Sequence, residues 1–182
     1  MKVIELNVAA LDVRYSGLRV RDRRREAWLL ASLEEHGQQD AISVIAEGAG
    51  RWVVVDGHKR VRALKRLRRD VVKAVVLEAG PADALVAAYR AGSGQGYNAI
   101  EDGWLIFELH RNGKWSLGTA AAAMGRTKSW ASRRLGLVEG LPESVLESVR
   151  CGELGTWSAM KHLLPLARAN AEACAGLAVK IV

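Results

Sequence analysis

Two stretches of the sequence carry residue types at spacings that could do chemistry. Asp56-Gly-His-Lys-Arg-Val-Arg-Ala63 follows the β-branched run Trp52-Val-Val-Val55. A glycine at such a turn lets the backbone come close to a ligand, and a helix starting behind it points free N–H groups outward. Lys59, Arg60 and Arg62 add cations, which together make a polyphosphate cradle. Gly57, His58, Lys59, Arg60, Arg62 and Ala63 are therefore the nucleotide-binding candidates. The same pattern also occurs as a plain turn followed by solvated charge. Asp56 and His58 are the nearest acid–base pair, and two positions apart on extended backbone they could share a side. No residue is assigned a catalytic role.

The second stretch runs from Ser116 to Leu135 and reads as a helix-turn-helix. Ser116 is a good N-cap, Ala121 is small where two helices approach, and Gly125 suits a left-handed turn between them. Thr127 or Ser129 caps the second helix, and Ala131 and Leu135 face the core. A recognition helix presents side chains to base edges and cations to phosphate. Arg126, Thr127, Lys128, Ser129, Trp130, Ser132, Arg133 and Arg134 are the DNA-binding candidates. The bland alternative is an ordinary helical hairpin, which also favours Ala, Gly and Ser. The absence of any Asp or Glu between Leu109 and Val138 favours DNA.

Composition agrees without deciding. The 182 residues carry 27 Lys and Arg against 20 Asp and Glu, a net charge of +7, with 49% hydrophobic residues, an ordinary globular balance. Basic clusters lie at Arg14–Arg25, Lys59–Arg69 and Arg111–Arg134. No apolar run is long enough for a bilayer span, and MKVIELNVAALDVRYSG lacks the apolar block of a signal peptide. Cys151 and Cys174 are two small apolar residues rather than a disulfide framework or a metal pair. His36 suits a helix C-terminus, His110 and His162 suit helix surfaces, and no metal site is expected. Trp104, Trp115 and Trp157 suit packing, whereas Trp130 falls on the presumed DNA face. The expected place is the cytoplasm, at the nucleoid, with no membrane contact.

The elements that must position these residues follow from periodicity and turn signals. Strands are expected at Val3–Leu6, Ala41–Ile45, Trp52–Val55 and Val71–Leu77, with residues 42–55 as a hairpin. Helices are expected at Arg24–His36, with Trp28, Leu29 and Leu33 at i, i+1 and i+5 and Gly37 as its stop, and at His58–Leu67. Ala82–Ala91 reads as a linker helix and Gly92-Ser-Gly-Gln-Gly96 as a hinge. Beyond Ala99 everything reads as helix, the last long one being Thr156–Ala169. The domain expectation is an α+β domain over 1–80, a linker over 81–98, an all-α helix-turn-helix domain over 99–170 and a short tail over 171–182.

Ala31-Ser-Leu-Glu-Glu-His-Gly37, Ile42-Ser-Val44 and Val54-Val-Asp-Gly-His-Lys-Arg-Val-Arg-Ala-Leu-Lys-Arg-Leu67 together resemble the N-terminal domain of the ParB/KorB partition-protein family. The helix-turn-helix follows in the expected order, and Gly136–Val145 with Gly152-Glu-Leu154 resemble the segment after the recognition helix. The resemblance covers about residues 3 to 168. It implies an α+β ParB/sulfiredoxin-like fold and a helical domain that binds double-stranded DNA. It also implies a CTP-responsive N-terminal domain that closes a two-chain clamp, and a partner ATPase.

The family's Gly-Glu-Arg-Arg-x-Arg-Ala box matches at Gly57, Arg60, Arg62 and Ala63 and departs at His58 and Lys59. Its Glu-Asn-x-x-Arg segment, which serves Mg²⁺, is replaced by Arg90-Ala-Gly-Ser-Gly94, so Mg²⁺-dependent CTP hydrolysis is in doubt. The family's usual dimerisation domain has no counterpart before Val182; a homodimer would use other surfaces, or the sequence is a piece of a longer one. Partition of a plasmid or chromosome, or service as a regulator or accessory of a mobile element, is the expected role, alongside a mobile-element protein as partner. The alternative is a nucleotide-using enzyme of the same fold: a CTPase, nuclease or phosphotransferase.

Overall fold

A computed structural model describes residues 2–48, 50–92 and 96–181. The chain divides into two compact units, Met1–Ser16 with Asp22–Ala91, and Gly17–Arg21 with Gly92–Val182.

The first unit is α+β. Its strands are β1 (Val3–Asn7), β2 (Leu11–Asp12), β3 (Ile42–Ala46), β4 (Trp52–Asp56) and β5 (Val71–Val76). They form one mixed sheet in the order β1-β5-β3-β4-β2. β3 and β4 are the expected antiparallel hairpin, with Val44 opposite Val54, while β3 runs parallel to β5, with Ile42 opposite Ala74. Two-residue β2, parallel to β4, has no periodicity to betray it in the sequence. Helices α1 (Arg23–His36) and α2 (His58–Arg66) lie side by side, and α3 (Pro81–Ala91) packs on β3 and β4. Val53, Val54 and Val55 are all buried, which is why this run is uniformly β-branched: both faces of the strand are covered. Ile42, Val44, Val54, Val61, Leu64 and Val72 centre the core.

Ala84, Leu85 and Val86 of α3 are buried within the first unit, which runs through Ala91. Trp28 is 72% exposed. The inward stripe of α1 is Glu26, Leu29, Leu30 and Leu33, and Trp28 stands about 140° round the helix from Leu33 at roughly 100° per residue. Of the expected hinge, residues 93–95 lie outside the described residues.

In the second unit every described element is helical: α4 (Ala99–Phe107), α5 (Leu117–Ala123), α6 (Lys128–Glu139), α7 (Glu143–Arg150), α8 (Thr156–Ser158), α9 (Leu164–Ala169) and α10 (Ala171–Ile181). A wide π-turn at Glu108–Asn112 extends α4, and another at Ala159–Leu163 joins α8 to α9. The expected tail is α10, whose Cys174 and Ala178, four apart on one face, are buried in the core with Leu146, Val149 and Leu163. His110 closes the turn after α4 by donating from Nδ1 to the Trp115 carbonyl at 2.7 Å.

Gly17–Arg21 leaves the first unit and is stitched into the second. Buried Glu101 accepts the Val20 amide at 2.8 Å and Arg19 Nε at 3.1 Å, and Arg19 stacks on Tyr97 at 4.0 Å. Arg150 Nε donates to the Gly17 carbonyl at 3.1 Å, and its own carbonyl accepts the Arg21 amide at 2.9 Å.

The crossing of α4 and α6 is backbone-close. A Cβ on Gly103 would lie 2.6 Å from the Arg134 carbonyl oxygen and 2.6 Å from Val138 Cγ2. Gly103→Ala gains helix propensity, but a backbone oxygen cannot rotate away as a side chain does. The overlap outweighs the propensity, and a net loss of about 2 kcal/mol follows. Urea denaturation checks this; a midpoint equal to or above wild type would show that the two helices part without cost.

Candidate functional site

Gly57 caps α2 with φ 93° and ψ 17°, a left-handed conformation. A Cβ there would sit 2.5 Å from Ile42 Cγ2, so the turn is tucked against the sheet as well as twisted. No side chain caps α2, which leaves its first-turn amides as the cradle's donors. Lys59 stands at this end, half-buried, and its charge helps hold the Asp22 carboxyl below the usual range; the larger cause is the hydrogen bond from the Arg25 amide.

Arg60, Arg62 and Ala63 are committed to the protein. Arg60 Nη1 donates to the carbonyls of Ala41 and, at 3.2 Å, Asp40, and its Nη2 lies 3.5 Å from Asp56 Oδ2. Arg62 grips Glu26 Oε1 through Nε at 3.1 Å and Nη2 at 2.5 Å. Glu26 is 9% exposed, so this ion pair ties α1 to α2 from within. Ala63 is core. His58 is buried while Asp56 is exposed, so these two do not present a shared acid–base face. Glu26 was not legible in the sequence, because its partner is 36 residues away. The pairs Asp22 with Lys59 and Glu26 with Arg62 run in step, so both helices begin at the same end.

The second candidate surface is built on α5 and α6. Ser116 caps α5 by accepting the Thr119 amide at 3.0 Å, and Thr127 rather than Ser129 caps α6 by accepting the Trp130 amide at 3.2 Å. Gly125 turns the chain with φ 69°, and Ala120, Ala121, Ala131 and Leu135 are buried where the helices meet. Arg126, Thr127, Lys128, Ser129, Ser132 and Arg133 are exposed on one end and side of α6. Trp130 is half-buried between two guanidinium groups, Arg126 at 5.4 Å and Arg134 at 5.5 Å from its ring. Arg134 Nε lies 3.5 Å from buried Asp102 of α4, so this arginine is anchored inward while Arg133 points out. Asp102 is a further residue that sequence reasoning did not single out; it acts on α6 from another helix.

Among the described residues, no three His, Cys, Asp or Glu side chains gather as a metal site, and no helix is long and apolar enough to cross a membrane. Cys151 Sγ lies 3.3 Å from Glu147, which raises its thiol above the ordinary range, and burial raises Cys174.

Among solved structures, the chain is similar to the C-terminally truncated chromosome-partitioning protein ParB from Caulobacter crescentus complexed with CTP-gamma-S. The identity is 22%, covering 100% of this chain and 99% of that one, with a TM-score of 0.47. The same protein complexed to the centromeric parS site matches at 20% identity over 97% of this chain and 99% of that one, with a TM-score of 0.47. Sulfiredoxin from Arabidopsis thaliana matches at 22% identity over 43% of this chain and 88% of its own, with a TM-score of 0.39. No curated protein matches the chain. The model of the ParB N-terminal domain matches residues 1–91, the whole of the sheet with α1, α2 and α3, and the chain therefore belongs to the ParB N-terminal domain family.

Proposed function

We propose that this protein binds double-stranded DNA through α5 and α6, used as a helix-turn-helix, and acts in partition of a plasmid or chromosome or as a regulator or accessory of a mobile element. The observation that carries this reading is the exposed end of α6. Arg126, Lys128 and Arg133 stand out with Ser129 and Ser132, and the chain from Leu109 to Val138 has no acid to oppose them. Such a helix, set on a buried partner through small residues and a left-handed glycine, suits a major groove. Thr127 supports the helix start, and Arg134, held by Asp102, supports Trp130.

The first unit supports a triphosphate ligand in part, CTP being the one the family implies. The amides of the first turn of α2 and Lys59 would hold the phosphates, and Arg60 would join by leaving the Ala41 and Asp40 carbonyls. Arg62 instead serves the fold, through Glu26. Calorimetric titration of CTP, with Lys59→Ala against Arg62→Ala, separates ligand contact from structural support. A homodimer, a partner ATPase or mobile-element protein, and a nucleoid location complete the proposal.

The deciding experiment is fluorescence anisotropy on labelled duplex DNA across a salt series. Lys128→Ala and Arg133→Ala each weaken binding by about tenfold and lower the salt slope by about one, with the helical circular dichroism unchanged. Wild-type affinity and slope in both variants would remove α6 as the DNA surface.

A further inference from the structure

The first two turns of α1 carry a surface used neither by the cradle nor by α6. Arg23, Arg24 and Arg25 are exposed there, and Trp28 is 72% exposed. Residues three and four apart on a helix share a side, so Arg24, Arg25 and Trp28 form one patch. No exposed acid answers the patch along its own helix: Glu26 is buried against Arg62, and Glu34 and Glu35 lie at the far end. Asp22 is engaged at the cap, where Oδ1 accepts the Arg24 and Arg25 amides and Oδ2 lies 3.4 Å from Arg25 Nε.

This arrangement runs against two ordinary preferences. Cations at a helix N-terminus oppose its dipole, and three stand in succession. An indole left in water forgoes the burial that stabilises most tryptophans. A polyanion covering the patch would offset both. A protein hot spot would ring the indole with large apolar side chains; the exposed neighbours of Trp28 on this helix are instead Arg24, Arg25, Ala27 and Ala31. The chemistry suits a phosphodiester backbone, with guanidinium groups on phosphate and the flat ring against sugar.

We propose that the N-terminal half of α1 is a second contact for duplex DNA, so that each unit of the chain holds DNA by its own surface. The proposal rests on the DNA-binding reading of α6. Two linked contacts raise the apparent affinity beyond either alone, because the second engages at a high effective concentration.

Anisotropy with a labelled random-sequence duplex tests it on the full chain. Arg24→Ala with Trp28→Ala lowers affinity by about tenfold and the salt slope by about one, and Trp28→Phe, which keeps a ring, restores part of the loss. In a Lys128→Ala, Arg133→Ala background, the residual binding disappears when Arg24→Ala and Trp28→Ala are added. If these α1 substitutions leave affinity and slope at wild type while the α6 substitutions reduce both, the α1 contact is overturned and the α6 reading stands. If no form of the chain binds duplex, both fall. Competition by polyglutamate as effective as by unlabelled duplex, in the α6-substituted background, would overturn the proposal in favour of an acidic protein partner. Circular dichroism confirms that the exposed substitutions leave the fold intact.

Discussion

Glu101→Ala lowers the thermal midpoint of the helical unit by about 10–20 °C, from a loss of about 3 kcal/mol. Glu101 is 5% exposed and serves three donors at once. Its Oε2 accepts the Asn98 amide at 2.9 Å, completing a capping box in which Asn98 Oδ1 accepts the amides of Ile100 and Glu101. Its Oε1 accepts the Val20 amide and Arg19 Nε, which holds the Gly17–Arg21 segment in the unit. Alanine leaves two backbone amides and a guanidinium without their acceptor, and buried unpaired donors are costly. Arg19→Ala costs less than half as much, because Arg19 is partly exposed and the amide contacts survive its removal. Glu101→Gln falls between them, since it keeps one acceptor oxygen and loses the charge. A circular dichroism melt on the three variants checks the order. Equal losses for Arg19→Ala and Glu101→Ala would show that the ion pair, not the backbone capping, carries the stability.

Gly57→Ala destabilises the first unit by about 3 kcal/mol, from two separate causes. At φ 93° an L side chain is strained by about 1 kcal/mol or more. The added Cβ would also stand 2.5 Å from Ile42 Cγ2, 2.9 Å from its Cβ and 3.2 Å from its Cα, in a core position with no exposed surface. Ile42 must move, and with it the strand that pairs both β4 and β5, at a further cost of roughly 2 kcal/mol. A double-mutant cycle with Ile42→Ala isolates the contact. The combined loss is smaller than the sum, because the shorter side chain relieves part of the overlap. Gly125→Ala is the control: its φ is 69° but nothing lies within 4 Å, so only the conformational cost of about 1 kcal/mol remains. Equal losses at Gly57 and Gly125 would show that the Ile42 contact is negligible.

Much of this architecture was legible because it is written in local spacing. The hairpin at 42–56, the capped helix beginning at Lys128, the Gly125 turn and the burial of Ala131 and Leu135 all follow from residues within one turn or strand of each other. The spacing of Trp28, Leu29 and Leu33 indicates a helix, and the fold turns Trp28 outward and Leu33 inward. Helix α10 gives little amphipathic contrast in the sequence because it is rich in Ala; of its described side chains only Cys174 and Ala178 are buried.

The cradle candidates show where local reading stops. Their types and spacing are those of a phosphate site, yet Arg62 meets Glu26 and Arg60 meets the carbonyls before β3, partners that no local window contains. Asp102 beside Arg134 and Glu101 beside Val20 are of the same kind. By itself the sequence determined the type of most elements, the family and the basic, acid-free stretch from Leu109 to Val138 that carries most of α6. Only the tertiary structure decided which cations are spent on buried carboxylates and carbonyls and which stand exposed at the surface. The physical reason is that periodicity and capping act within a few residues, while the pairing of a buried charge is settled by whatever the fold brings opposite it.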